Sequence, residues 1–120
     1  IWLGEVKDIK SLWKKSHIAV LPSRREGLPM SLLEAAASGK AIIATDVPGC
    51  REIAINNINA ITVPLDNTIK LTEAIIYLSK NNEIRKRFGL KSREIVEKDM
   101  SENFIINKTI SIYKNLYIKA

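Results

Sequence analysis

Glu26 and Glu34 are the residues of this chain whose type and spacing invite chemistry. Seven residues separate them, and the stretch that holds them, Leu21-Pro22-Ser23-Arg24-Arg25-Glu26-Gly27-Leu28-Pro29-Met30-Ser31-Leu32-Leu33-Glu34, changes character midway. An apolar run from His17 to Leu21 leads into a polar turn holding Pro22, Ser23, Glu26, Gly27 and Pro29, and a helical pattern begins near Met30. The pattern predicts a strand, a loop and a helix N-terminus. In an open parallel sheet, ligands bind where strand C-ends meet helix N-ends, because unpaired backbone N–H groups and the positive end of the helix dipole gather there.

Two carboxylates admit a hydrolase, one acting as acid and the other as nucleophile or base. Were the intervening segment fully helical, eight steps of about 1.5 Å would set the two Cα atoms about 12 Å apart along the axis. Glycosidase carboxyl pairs stand about 5 to 9.5 Å apart. The spacing suits a two-ended grip better: each carboxylate accepts hydrogen bonds from hydroxyls at one end of an elongated polar ligand, with a diphosphate between them. Gly27 lets backbone approach the ligand, Pro29 stiffens the turn, and the amides near Met30, Ser31 and Leu32 can face phosphate oxygens. A nucleotide-sugar has that shape. The plain alternative makes Glu26 a capping or ion-pair residue, Glu34 an exposed helix residue and Ser23 a turn cap.

The elements that must position this stretch follow from periodicity. Ile9, Leu12 and Trp13 sit at helical spacing within residues 7–16, with Trp13 facing the core. Residues 30–38 form a helix stopped by Gly39. Short buried strands are predicted at 41–44 and 60–63, joined through a Val47-Pro48-Gly49-Cys50-Arg51-Glu52-Ile53 turn and short helix, then a turn at Asn56, Asn57 and Asn59. Asp66 or Asn67 caps a helix to about Ser79 whose inward stripe includes Ile69, Ala74, Ile75 and Leu78. Another starts at Asn81 or Asn82, with Ile84, Phe88, Ile95 and Val96 apolar and Gly89 weakening its middle. Ser101 caps a last helix in which Phe104, Ile105, Ile112, Tyr113 and Leu116 face inward. Alternating strands and helices predict right-handed βαβ units, a parallel sheet and an α/β fold; strand order is not legible.

With 120 residues and 46% hydrophobic composition, one core is expected. The opening Ile1-Trp2-Leu3-Gly4 reads as the end of a strand, which predicts a piece of a longer polypeptide. A single cysteine, Cys50, allows no internal disulfide and points to a reducing, cytoplasmic setting. Nothing near Cys50 in the sequence activates it as a nucleophile, and His17, the only histidine, has no second ligand residue at metal spacing. The net charge of +6 is concentrated in residues 80–120, with ten Lys/Arg against five Asp/Glu. A solvated helix face accounts for it; peripheral association with an anionic membrane is the functional alternative. No aromatic-basic interleaving points to nucleic acid.

The pattern Pro22-Ser23-x-x-Glu26-Gly27-x-Pro29-x-x-Leu32-Leu33-Glu34-Ala35-x-Ala37-x-Gly39-x-x-Ile42-x-Ala44-Thr45 resembles the nucleotide-sugar motif of glycosyltransferase family 4, whose members have the two-domain GT-B fold and retain anomeric configuration. Asp46-Val47-Pro48-Gly49-Cys50-Arg51-Glu52 resembles the sugar-side loop that follows it, in the bacterial branch that builds capsule, O-antigen and other lipid-linked glycans. The resemblance implies that residues 1–120 are part of a C-terminal, Rossmann-like donor domain. It implies a catalytic Glu26 meeting the donor sugar, with Gly27, Leu28 and Pro29 shaping that contact. Met30, Ser31 and Leu32 would turn amides toward the diphosphate, Glu34 would hold the ribose, and Ser23 would order the loop. Cys50 and Arg51 would help shape the pocket or serve packing and a surface ion pair.

The implied donor is a UDP-sugar, with a lipid-linked or polysaccharide acceptor held by an N-terminal domain, and with no metal or further cofactor. Ala41 and Ala60 depart from the proline and glycine common at those places. The basic pair that neutralises the leaving diphosphate in the family lies outside these residues, so the 120 residues alone are expected to be inactive. A non-catalytic nucleotide- or glycan-binding module is the alternative.

Overall fold

The computed structural model describes residues 8–25, 27 and 29–102; the expected strand end at Ile1 to Gly4 and the terminal helix near Tyr113 lie outside them. Helix α1 (Ile9–Lys15) is capped by the Asp8 carboxylate, which accepts from the Ser11 amide at 3.1 Å and the Ser11 hydroxyl at 2.7 Å. These two bonds hold the Asp8 carboxyl below the usual aspartate range. Strands β1 (Ile18–Leu21), β2 (Ala41–Thr45) and β3 (Ala60–Val63) form a parallel sheet in the order β1-β2-β3. The register runs from Ile18 opposite Ala41 to Leu21 opposite Ala44, and from Ile42 opposite Ala60 to Thr45 opposite Val63.

Parallel neighbours need crossovers, and the sequence supplies α2 (Met30–Ala37) between β1 and β2, and α3 (Pro48–Arg51) between β2 and β3. Helices α4 (Thr68–Lys80) and α5 (Asn82–Glu102) follow. Every residue of β2 is buried, as a central strand covered on both faces requires. Ile42 and Ala44 face a core shared with Leu32, Leu33, Ala36, Cys50 and Val96. Ala41 and Ile43 face a second core with Val63, Ala74, Leu78 and Phe88. Trp13 packs against the first core, as its spacing predicts.

The side chain of Asn67, rather than Asp66, caps α4 by accepting from the Lys70 amide at 2.9 Å. Asp66 instead takes a left-handed conformation, φ +58°, which a short polar side chain tolerates. Two expectations for the helices are corrected. Of the predicted inward stripe of α4, Ala74 and Leu78 are buried, but Ile69 is 72% exposed and Ile75 is also exposed; Leu71 packs on the second core instead. The helix carries apolar residues around most of its circumference, so periodicity alone does not choose the buried face. Ser101 lies within α5 and does not start a new helix.

Gly89, expected to weaken its helix, is a contact. Helix α5 contributes Phe88 to one core and Val96 to the other, crossing the turn after α2 between them. That turn holds Gly39 at φ +71°, and a Cβ on Gly89 would stand 2.1 Å from the Gly39 carbonyl oxygen. Farther along α5, buried Ser92 accepts from the amide of buried Asn59 at 3.2 Å. Asn59 also donates to the Ile53 carbonyl and accepts from the Ile55 amide, both at 2.8 Å, so the β2–β3 connection is fixed to α5 from inside.

These contacts set the sign of one substitution. On helix propensity alone, Gly89→Ala would stabilise by about 1 kcal/mol. Against the Gly39 backbone it forces displacement, and overpacking of this kind costs about 1–3 kcal/mol. Gly89→Ala is therefore expected to lower the midpoint of thermal unfolding; a raised midpoint would refute the close crossing.

Candidate functional site

Because all three strands are parallel, the loops after β1, β2 and β3 leave the sheet at one edge. His17 lies at the other end of β1 and is exposed, which removes it from this site. The β1–α2 loop is tied down twice. The buried Thr45 side chain, at the end of β2, donates its hydroxyl hydrogen to the Ser23 carbonyl. The Arg24 guanidinium grips Asp66, in the loop after β3, through both carboxylate oxygens at 2.6 and 2.9 Å. The second tie is exposed, and such pairs contribute about 0.2–1 kcal/mol; its fork geometry serves to fix the loop's direction.

The start of α2 is built on Pro29, which is buried and occupies the N-cap with extended backbone. A proline offers no capping side chain, so the first turn is closed by its carbonyl, which accepts from the Leu32 amide at 3.1 Å and the Leu33 amide at 3.2 Å. The amides of Met30 and Ser31 have no acceptor among the described residues. The expected amide cradle of Met30, Ser31 and Leu32 is thus narrowed to its first two members. A third sequence-derived site residue, Leu32, acts through its side chain, fully buried in the first core.

Ser31 is exposed and Met30 half-buried at the helix start. Glu34 follows on α2, half-buried among the buried Leu32, Leu33, Ala35 and Ala36. Gly27 is exposed, with open space where a side chain would stand. Ser23 is half-buried and serves the loop through its backbone carbonyl. Glu26 and Leu28 lie outside the described residues.

Two concavities open at this edge. A cleft of about 440 Å³ lies between the first two loops, lined by Arg24, Arg25, Gly27, Val47 and Pro48. A smaller one of about 180 Å³ lies between the first and third loops, with Thr45, Asp66 and Asn67 among its walls. The first falls within the range of small-molecule sites, about 300–1,000 Å³. On the β2–α3 side, Pro48 opens α3 and Cys50 is fully buried in the first core, so Val47 and Pro48 line the cleft and Cys50 does not. Arg51 is held by Asp46 at 2.6 Å, which raises the affinity of its guanidinium for its proton and closes this loop on itself.

Arg24 and Arg25 were not singled out by the spacing of the motif, whose pattern leaves both positions open. Arg24 is revealed by a partner 42 residues away, a relation that no local pattern carries. Among the described residues, no group of three His, Cys, Asp and Glu side chains lies close enough to hold a metal ion.

Comparison with known proteins agrees with the parallel α/β fold. The family model for glycosyl transferases group 1 matches residues 1–95. The chain is 34% identical over 113 residues, 93% of its length, to the N,N'-diacetylbacillosaminyl-diphospho-undecaprenol alpha-1,3-N-acetylgalactosaminyltransferase of Campylobacter jejuni. It is 28% identical over 117 residues to the UDP-Gal:alpha-D-GlcNAc-diphosphoundecaprenol alpha-1,3-galactosyltransferase of Escherichia coli, a match covering 88% of the chain. It spans 30% of the length of each of these relatives. Among solved structures, a glycosyltransferase from Rickettsia africae superposes with a TM-score of 0.79 at 27% identity, over 98% of this chain and 32% of that one. The loop motif, the parallel sheet that carries it and the matched family model lead to one assignment: the chain belongs to the group 1 glycosyltransferases.

Proposed function

We propose that these residues form part of the donor-binding domain of a retaining glycosyltransferase that takes a UDP-sugar and extends a lipid-diphosphate-linked glycan. One observation carries the proposal: the loop from Ser23 to Pro29 is tied to β2 and to the β3–α4 loop, so that α2 presents its open first-turn amides and Glu34 at the edge where the strands end. The E. coli relative is named for a UDP-sugar donor, and both relatives named above for diphospho-undecaprenol acceptors, which supports extending those classes to this chain.

In this assignment Glu34 accepts hydrogen bonds from the ribose hydroxyls, the Met30 and Ser31 amides face the diphosphate, and Glu26 meets the donor sugar. Transfer breaks the bond between the anomeric carbon and the diphosphate oxygen, leaving the electron pair on the diphosphate. Helix-terminus electrostatics offset only about 0.3–2 kcal/mol of that developing charge. The larger share falls to cations, chiefly the basic pair that the family resemblance puts outside these residues. A polyprenyl-linked acceptor would bring the protein to the cytoplasmic face of the membrane as a peripheral protein. No helix among the described residues is long and apolar enough to cross it.

Two variants of the full-length protein test the assignment. A carboxylate hydrogen-bonded to ligand hydroxyls contributes about 1.5–3 kcal/mol, so Glu34→Ala is expected to weaken UDP binding at least tenfold by calorimetry. Unchanged affinity would contradict the ribose role. Gly27→Ala adds a methyl group into open space at a residue without positive φ, so the melting temperature is expected to stay constant while the donor KM rises. An unchanged KM would separate Gly27 from the donor.

A further inference from the structure

Among the described residues, the lining of the cleft between the β1–α2 and β2–α3 loops holds two guanidinium groups and no carboxylate. They are not equivalent. Arg24 is neutralised by the fork with Asp66. Arg25, the next residue, is exposed and has no ion pair or side-chain hydrogen bond with the described residues. The remaining walls are the Gly27 backbone and the apolar Val47 and Pro48. A cleft of this size with a guanidinium unpaired among the described residues favours an anion, and the planar N–H fork of arginine matches phosphoryl oxygens two at a time.

We infer that this cleft is a phosphate subsite and that Arg25 is the residue that recognises the phosphoryl group. Arg24, its side chain drawn to Asp66, holds the loop so that Arg25 stays at the cleft. The subsite thereby supplies a positive charge from within this chain, beside the helix terminus that faces the donor. The ligand group is a diphosphate or one phosphate of it, supplied by the nucleotide-sugar donor or by the lipid-linked acceptor. The identity of those two molecules rests on the function proposed above; the recognition of a phosphoryl group by Arg25 does not.

The test compares wild-type, Arg25→Gln and Arg25→Lys full-length proteins, with Arg51→Gln, whose guanidinium is paired with Asp46 and lies outside the cleft lining, as a control for loss of a cation elsewhere on the surface. Calorimetry with inorganic pyrophosphate, UDP and uridine is combined with KM values for donor and acceptor. Arg25→Gln is expected to weaken pyrophosphate binding on the order of tenfold, with a flatter salt dependence and no change for uridine. Arg25→Lys should recover part of the loss, and Arg51→Gln should change little. A parallel loss for UDP identifies the donor diphosphate as the occupant, whereas a raised acceptor KM with unchanged UDP affinity identifies the acceptor's.

If pyrophosphate, UDP and both KM values are indifferent to Arg25→Gln, the inference is overturned, as it is if Arg51→Gln reproduces the full loss. Glu34→Ala separates the two claims, since it should weaken UDP and leave pyrophosphate unchanged. Should Glu34→Ala leave UDP unaffected while Arg25→Gln still weakens pyrophosphate, the ribose assignment falls and the phosphate subsite stands.

Discussion

The site depends on the burial of β2 on both faces. A strand with no polar surface to offer water is stable only between two covered sheet faces, and its parallel pairing obliges each connection to cross over and start again at the same edge. Ile42 and Ala44 seat α2 on one side, and Ala41 and Ile43 receive α4 on the other. The three loops are thereby brought to one end of the sheet. Helix α5 locks the arrangement, touching both cores and closing to backbone contact where Gly89 meets Gly39.

On that rigid edge, modest interactions suffice to orient the chemistry. Thr45, itself the last residue of β2, fixes the Ser23 carbonyl, and the Arg24–Asp66 fork connects the first loop to the third. Neither contact needs to contribute much stability, because the sheet already holds both partners near their positions. Their effect is directional. They leave Arg25 and Gly27 lining the first cleft, beside Met30 and Ser31 amides that have no acceptor among the described residues. Asp46 and Arg51 close the second loop on itself, so that loop meets the cleft through Val47 and Pro48.

Much of this was legible in the sequence. The run of Ala41 to Ala44 reads as a buried strand because it is short, apolar and bounded by polar residues, and the helix after Pro29 announces itself through its leucines and alanines and its stop at Gly39. What was not legible depends on tertiary partners. Ile69 fits a helical stripe as well as Leu71 does, and only the position of the sheet decides which is covered. Gly89 looks like a weak point until Gly39 is found against it. The division of labour between Arg24 and Arg25 follows from Asp66, a residue that the sequence marks only as a helix cap. The occupation of the Leu32 amide by Pro29 is likewise a matter of local geometry that composition does not encode.

The central claim is spatial: the nucleotide of the donor lies along the first turns of α2, at the edge where the strands end. A crystal structure of the full-length protein with UDP bound tests it most directly. The account predicts ribose hydroxyls within about 3.2 Å of the Glu34 carboxylate and phosphate oxygens at the Met30 and Ser31 amides. UDP bound elsewhere, with Glu34 remote from the ribose, would contradict it.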